Sequence, residues 1–208
     1  MILCDIGNSS YHFFDTEKQV QFKIFDEKHL PDILDSIYFA SVNEKKTEIF
    51  LNKFPNSVNV ENFCKFETSY IGMGFDRKLA CLGVKHGVIV DAGSAITVDI
   101  MREGIHAGGF ILPGINALLK CYRDISPKLS VDFENETFLD KIPNLTKDAI
   151  NYAIIKSTIL PIKDISTNFQ ITFTGGDGKM LTHFFENCIY DEFLIFKGML
   201  QIIEREQC

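Results

Sequence analysis

Two stretches of this chain pair an apolar run with an aspartate, one further residue, a glycine and small polar residues. The first is Met1-Ile2-Leu3-Cys4-Asp5-Ile6-Gly7-Asn8-Ser9-Ser10. The second is Gly87-Val88-Ile89-Val90-Asp91-Ala92-Gly93-Ser94, which continues through Ala95 to Met101 and carries Thr97 and Asp99. A turn built of glycine and hydroxyl residues can hold phosphate oxygens on its backbone N–H groups, and the carboxylate can hold the cation that phosphate needs. A third acid, Asp76, follows Gly72-Met73-Gly74-Phe75 and is followed by Arg77, a partner for an anionic group. Thr174-Gly175-Gly176-Asp177-Gly178 reads as a strand entering a tight turn before a helix, a surface for a planar ring or a phosphate. Each has a plainer reading: Asp91 as a polar strand end, Asp76 as a helix cap, the glycine pair as an ordinary connection.

The elements that must position these residues follow from the apolar pattern. One aspartate-glycine hairpin opens each half of the chain, which suggests two similar domains facing one cleft, residues 1–86 and 87–208. Gln19 to Phe25 alternates as a strand does, Leu30 to Ile37 has a helical pattern, and Tyr38 to Val42 reads as a buried strand. Asn43 can cap a helix over Glu44 to Phe54, after which Val58 to Phe63 reads as a strand and Lys78 to His86 as a helix ending at Gly87. Beyond three strands a helix starts near Pro113 and runs to about Tyr122, and a polar loop spans Arg123 to Asn144. Thr146 precedes a long helical pattern that Pro161 should kink or end. Gln170 to Thr174 is a strand, Lys179 to Cys188 a helix, and Gly198 to Cys208 an amphipathic helix. Strands alternating with helices make an α/β protein.

Composition narrows the function. A net charge of −7 argues against a nucleic-acid binder, which needs a basic face. An acidic protein that handles an anion must neutralise it locally, with metal ions, amides or a few chosen cations. Six scattered cysteines, without a C-x-x-C pair, point to reduced core thiols rather than zinc. No leading secretory segment and no apolar run of membrane-spanning length are expected, so the chain reads as cytoplasmic, with no membrane partner. Nineteen Phe and the apolar run Ala149 to Ile162 exceed what two small cores need, which suggests a homodimer.

In this order, Asp5-Ile6-Gly7-Asn8-Ser9, Gly74-Phe75-Asp76-Arg77, Asp91-Ala92-Gly93-Ser94-Ala95-Ile96-Thr97, Gly108-Gly109 with Pro113-Gly114, and Thr174-Gly175-Gly176 resemble the type III pantothenate kinases. That family lies in the acetate and sugar kinase/Hsp70/actin superfamily. The resemblance implies two ribonuclease H-like (actin-like ATPase) domains with the active site in the cleft between them. It implies ATP-dependent phosphorylation of pantothenate, the opening step of coenzyme A synthesis, with Mg2+, a monovalent cation (K+ or NH4+) and a homodimer paired through the second domain. By the same resemblance Asp5, Ile6, Gly7, Asn8, Ser9, Ser10, Tyr11 and His12 form a phosphate-binding hairpin, with Asp5 on magnesium. Asp76 takes the proton of the pantothenate hydroxyl, Tyr70, Gly74, Phe75, Arg77 and Thr146 bind substrate, and Asp91 holds the monovalent cation. Gly93, Ser94, Gly175 and Gly176 contact ATP. The chain departs from the family at His12, where several members carry Lys, and at Ser94, where Thr is usual. Glu67 stands where a Tyr is common, and whether Tyr70 or Glu67 fills that place is open. The alternatives are a non-catalytic nucleotide-binding regulator and another small-molecule kinase of the superfamily.

Overall fold

Among the described residues, ten strands form two five-stranded sheets, interspersed with six helices. The computed structural model describes residues 1–134 and 139–207. By contacts these fall into two compact units, Met1–Lys85 with Gly104–His106 and Phe193–Cys208, and His86–Glu103 with Ala107–Glu192. The sequence boundary after residue 86 leaves the last helix with the second half; by contacts it groups with the first.

The first sheet holds β1 (Ile2–Ile6), β2 (Tyr11–Asp15), β3 (Val20–Ile24), β4 (Ile37–Ser41) and β5 (Val58–Asn59), in the order β3-β2-β1-β4-β5. β1 runs antiparallel to β2, with Ile6 opposite Tyr11 and Asp5 opposite His12, and parallel to β4. Directly opposed residues share a face, so Cys4, Ile6, Tyr11 and Phe13 point one way and Asp5 and His12 the other. Helix α1 (Glu44–Lys53) covers the first face. Its Phe50 is fully buried and meets Tyr11, Phe13, Phe39 and Phe54 with ring centroids 4.9–6.4 Å apart. The helix starts where it does because Asn43 Oδ1 accepts from the Lys46 N–H at 3.0 Å. On the other face lie α2 (Phe75–Leu82) and α6 (Leu194–Gln207). The Phe196 ring meets His12 at 4.8 Å and Phe14 at 5.3 Å, and Gly198 lets the two helices touch: a Cβ there would sit 2.1 Å from Leu79 O.

The second sheet holds β6 (Gly87–Ala92), β7 (Ala95–Arg102), β8 (Ile105–Pro113), β9 (Ile171–Thr174) and β10 (Cys188–Tyr190), in the order β10-β9-β6-β7-β8. Counted from its own first strand, each sheet therefore has the order 3-2-1-4-5. Helices α3 (Ile115–Ile125), α4 (Thr146–Ile165) and the single turn α5 (Gly178–Leu181) complete this unit. Val88, Val90, Ile96, Val98 and Phe173 of the sheet pack with Ile115, Leu119 and a row of α4 isoleucines.

Several local expectations change. Leu30 to Ile37 is not helical; a short 3-10 turn, Glu27–His29, precedes it and β4 begins at Ile37. Pro31 removes an amide from a segment too short to nucleate, and Lys53 fastens it instead, donating to Leu30 O at 2.7 Å. The strand expected over Val58 to Phe63 stops at Asn59, whose side chain accepts from the Glu61 N–H and starts a 3-10 turn. Helix α2 begins at Phe75 rather than Lys78 and ends at Leu82, so Asp76 lies in its first turn. The helix expected over Lys179 to Cys188 shrinks to α5 and a 3-10 turn before β10. Pro161 does not end α4: Ile150, Ile154, Ile155, Ile159 and Ile162 are all buried along it, and this packing outweighs the roughly 3 kcal/mol that an interior proline costs. The same packing uses most of the Ala149 to Ile162 run internally, leaving Leu160 55% exposed. Within the polar loop expected over Arg123 to Asn144, residues 135–138 lie outside the described residues, as does Cys208 at the end of the expected last helix.

Candidate active site

The first hairpin presents a polar tip on an apolar stem. Asp5, half-buried, lies near the end of β1 on the face opposite α1, while Ile6 and Tyr11 send their side chains into the core, so a phosphate could meet them only through backbone. At the turn the Gly7 N–H donates to Ser10 O at 3.1 Å, and Asn8 and Ser9 are exposed. Side chains help tie the tip down: Asn43 Nδ2 donates to Asn8 Oδ1 at 3.2 Å. Since Asn43 is also the cap of α1, one amide orients both the turn and the helix N-terminus. His12 Nε2 lies 2.7 Å from Gln21 Oε1, so its ring is engaged across the sheet. Cys4, beside Asp5, has its thiol pKa raised by burial and by that carboxylate, which keeps it protonated.

In the second unit three glycine turns converge on one hairpin. The Gly93 N–H donates to Ala95 O at 2.9 Å, with Ser94 exposed at the tip. A Cβ on Gly114 would lie 2.3 Å from Gly93 O and 2.5 Å from Ser94 O; the Gly114 N–H donates to Ser94 O at 3.2 Å. Gly175, at φ +81°, leaves a Cβ only 2.4 Å from Asp91 Oδ1 and 2.5 Å from Ala92 O. The Asp177 N–H donates to Ala92 O at 3.0 Å, and the Tyr190 hydroxyl donates to Gly175 O at 3.2 Å. Asp91 stands opposite Thr97 on β7 and beside Thr174 on β9, so two hydroxyls flank its carboxylate on one sheet face. Oxygen donors of this kind suit a hard cation, and glycine turns let backbone amides approach a phosphate. Burial raises the Asp177 pKa, and burial first, then the charges of Glu192 and Asp91, raise that of the Tyr190 phenol.

Asp76 sits in the first turn of α2, where the helix dipole favours a carboxylate. Its Oδ1 accepts from the Arg77 N–H at 2.8 Å. Gly74 leaves this carboxylate room where it stands: a Cβ there would come within 2.6 Å of that same Oδ1 and the side chain would have to shift. Arg77 is only 3% exposed, and its guanidinium lies 4.5 Å from the centroid of the Tyr70 ring. A glycine that leaves space for a carboxylate thus stands next to a buried arginine on an aromatic face, residue types that can orient a hydroxyl and meet an anionic group.

This chain matches the profile of the type III pantothenate kinases over residues 22–168. It is 45% identical over 210 residues to the type III pantothenate kinase of Helicobacter hepaticus, covering 99% of this chain and 100% of that one. Against the type III pantothenate kinase of Campylobacter jejuni it is 44% identical over 204 residues, 98% of this chain and 97% of the relative. The chain belongs to the type III pantothenate kinases. A solved structure from Campylobacter jejuni, described as a Baf family transcriptional activator, superposes with a TM-score of 0.89 at 42% identity, covering 100% of this chain and 99% of that one. A structure assigned as a 2-dehydro-3-deoxygalactonokinase from Sinorhizobium meliloti gives a TM-score of 0.60 at 9% identity over 99% of this chain and 98% of that one, a likeness of fold alone. The fold is the actin-like ATPase fold, with two five-stranded mixed sheets.

For a type III pantothenate kinase, the candidate residues are distributed as follows. Asp5 to His12, Tyr70 and Gly74 to Arg77 belong to the first unit; Asp91, Gly93, Ser94, Thr146, Gly175 and Gly176 belong to the second. Thr146 is the first residue of α4 and is exposed. At the place left open between Tyr70 and Glu67, the guanidinium of Arg77 rests on Tyr70, while Glu67 is exposed. Two residues near the arginine escaped the sequence reading: Thr68 Oγ1 lies 2.7 Å from His106 Nδ1. The signal for His106 was a histidine inside an apolar strand, which taken alone is a common core residue.

Proposed function

We infer a division of labour among these residues for the family's reaction, the ATP-dependent phosphorylation of pantothenate that opens coenzyme A biosynthesis. Asp76 orients the pantothenate hydroxyl and takes its proton as the oxygen attacks the γ-phosphoryl. An unperturbed carboxylate, with a pKa of roughly 4, suffices if that proton moves late. Arg77 receives the substrate carboxylate, with Tyr70, Gly74 and Phe75 shaping the pocket and Thr146 as a further contact. The amides around Gly7 to Ser10, Gly93, Ser94, Gly175 and Gly176 hold ATP. Asp5, half-buried at the end of its strand, fits magnesium, which when bound neutralises charge on the transferring phosphate. Asp91 with Thr97 and Thr174 fits a monovalent cation, K+ or NH4+.

The observation that carries this reading is the space Gly74 leaves for the Asp76 carboxylate beside a buried arginine. Its test is Asp76→Asn, expected to keep ATP binding while turnover falls about 100- to 10,000-fold. Turnover near that of the parent enzyme would remove Asp76 from the mechanism.

We extend the reading to a homodimer paired through the second unit. That unit leaves Ile111 55%, Ile125 69% and Leu145 63% exposed, side chains that a second copy would cover. Light scattering beside the kinase assay is expected to give a dimer; a fully active 23.6 kDa monomer rejects it. A cytoplasmic setting belongs to the same reading, since the cysteines described are free, and among the described residues no helix is long and apolar enough to cross a membrane. The transcriptional description of the Campylobacter jejuni structure suggests a regulator instead. A net charge of −7 disfavours DNA, and a coupled ADP-release assay over several hydroxyl substrates separates the regulator from pantothenate kinase and from kinases of other alcohols.

A further inference from the structure

The stretch from residue 64 to 74 carries Tyr70 and leads to Asp76, yet it contains no helix or strand. Left to itself, such a segment would sample many conformations, and fixing it costs roughly 1–2 kcal/mol per residue in backbone entropy. One cluster in the first unit ties it down. The Thr68 hydroxyl accepts from the Tyr70 N–H at 3.0 Å and also lies 2.7 Å from His106 Nδ1. A hydroxyl carries one donor and two acceptor sites, so it can serve both partners. The backbones of Thr68 and His106 form a parallel β-bridge. His106 is 3% exposed, and its ring meets Tyr70 edge-on at 6.0 Å and Phe66 at 5.9 Å. Tyr70 in turn supports the Arg77 guanidinium at 4.5 Å. The chain of contacts runs from Thr68 and His106, through one aromatic ring, to the buried cation.

We propose that Thr68 and His106 are positioning residues that fix the Tyr70 ring and, through it, aim Arg77 at the anionic end of the substrate. This rests on the reading that Arg77 receives the pantothenate carboxylate. Neither residue touches substrate; each acts on how well the arginine is pre-organised, which changes binding more than the chemical step.

The test uses the full chain with steady-state kinetics in pantothenate and ATP. Thr68→Val removes the hydroxyl at nearly constant volume. It is expected to raise KM for pantothenate roughly five- to thirty-fold, in the range of coupling between packed neighbours, with kcat and the ATP KM within about two-fold. His106→Gln, which keeps a polar atom for Thr68, is expected to retain more affinity than His106→Leu. In an Arg77→Ala background, Thr68→Val is expected to add nothing, because the residue it aims is gone. Equal loss in every kinetic constant together with a lowered melting temperature, or full additivity with Arg77→Ala, overturns the positioning role. If Arg77→Ala raises the pantothenate KM but Thr68→Val does not, the positioning pair alone is rejected. If Arg77→Ala itself leaves that KM unchanged, the substrate reading fails, and the pair falls with it.

Discussion

The hairpins at Asp5 and Asp91 look alike in sequence and are held in opposite ways. Both place an aspartate near the end of a first strand and a glycine two residues on, and both open a sheet with the order 3-2-1-4-5. Around Gly7 there is room, since an added Cβ would meet only Ser10 O, at 3.8 Å. That turn is oriented by a side chain, Asn43 on Asn8. Around Gly93 itself an added Cβ would likewise meet only Ala95 O, at 3.9 Å, but this hairpin is backed by close backbone: Gly114 comes against Gly93 O and Ser94 O, and Gly175 against Asp91 and Ala92. The flanks of the acids differ too: His12 and Ala40 beside Asp5, Thr97 and Thr174 beside Asp91. A turn held by one side chain and a hairpin backed by two close backbones give the two aspartates different surroundings, and the proposed phosphate and cation roles follow that difference. Similar local sequences thus acquire different surroundings from what packs on them.

The sharpest break of this comparison is at the glycines. Gly175→Ala combines a backbone clash with a left-handed φ and is expected to cost about 3 kcal/mol or more, with Gly114→Ala close behind; Gly7→Ala is expected to cost under about 1 kcal/mol. Urea unfolding of the three variants measures it, and equal losses would end the distinction between a hairpin backed by close backbone and one held by a side chain.

Next in size is the cation. Asp91→Asn is expected to raise the K+ concentration needed for half-activation at least about tenfold, and Thr97→Val or Thr174→Val to shift it in the same direction. Asp5→Asn is expected to change the magnesium requirement and leave the K+ curve in place. Activity titrated against K+ at constant ionic strength and constant magnesium tells the two acids apart; identical curves for both variants would show that the hairpins are not specialised.

The smallest effect concerns the tether. Asn43→Ala loses the α1 cap and the bond to Asn8 together, and is expected to cost about 1 kcal/mol in stability and to raise the ATP KM a few-fold. A stability loss with no change in the ATP KM would mean that the tip needs no support from α1.

The sequence by itself determined what depends on neighbours along the chain. Both hairpins, the Asn43 cap and the strand cores could be read there, because turn chemistry and apolar periodicity act over a few residues. The residues carrying the family resemblance were legible for the same reason: Gly74 leaves room for the Asp76 carboxylate two positions on, and that spacing is written in the chain. Tertiary structure decided the rest. Local pattern made Leu30 to Ile37 a helix, but Lys53, far along the chain, fixes it as a loop. Pro161 signalled a helix end, and a buried row of isoleucines overrode it. The last helix groups with the first unit because Gly198 admits the backbone of Leu79, a fit that no local window contains. Gly114 and Gly175 gain their meaning only where they meet the Asp91 hairpin, and His106 only where it meets Thr68 and Tyr70. The physical reason is common to all of these: steric exclusion and side-chain hydrogen bonds between residues distant in sequence depend on where the folded chain brings them, and local propensity carries no record of that.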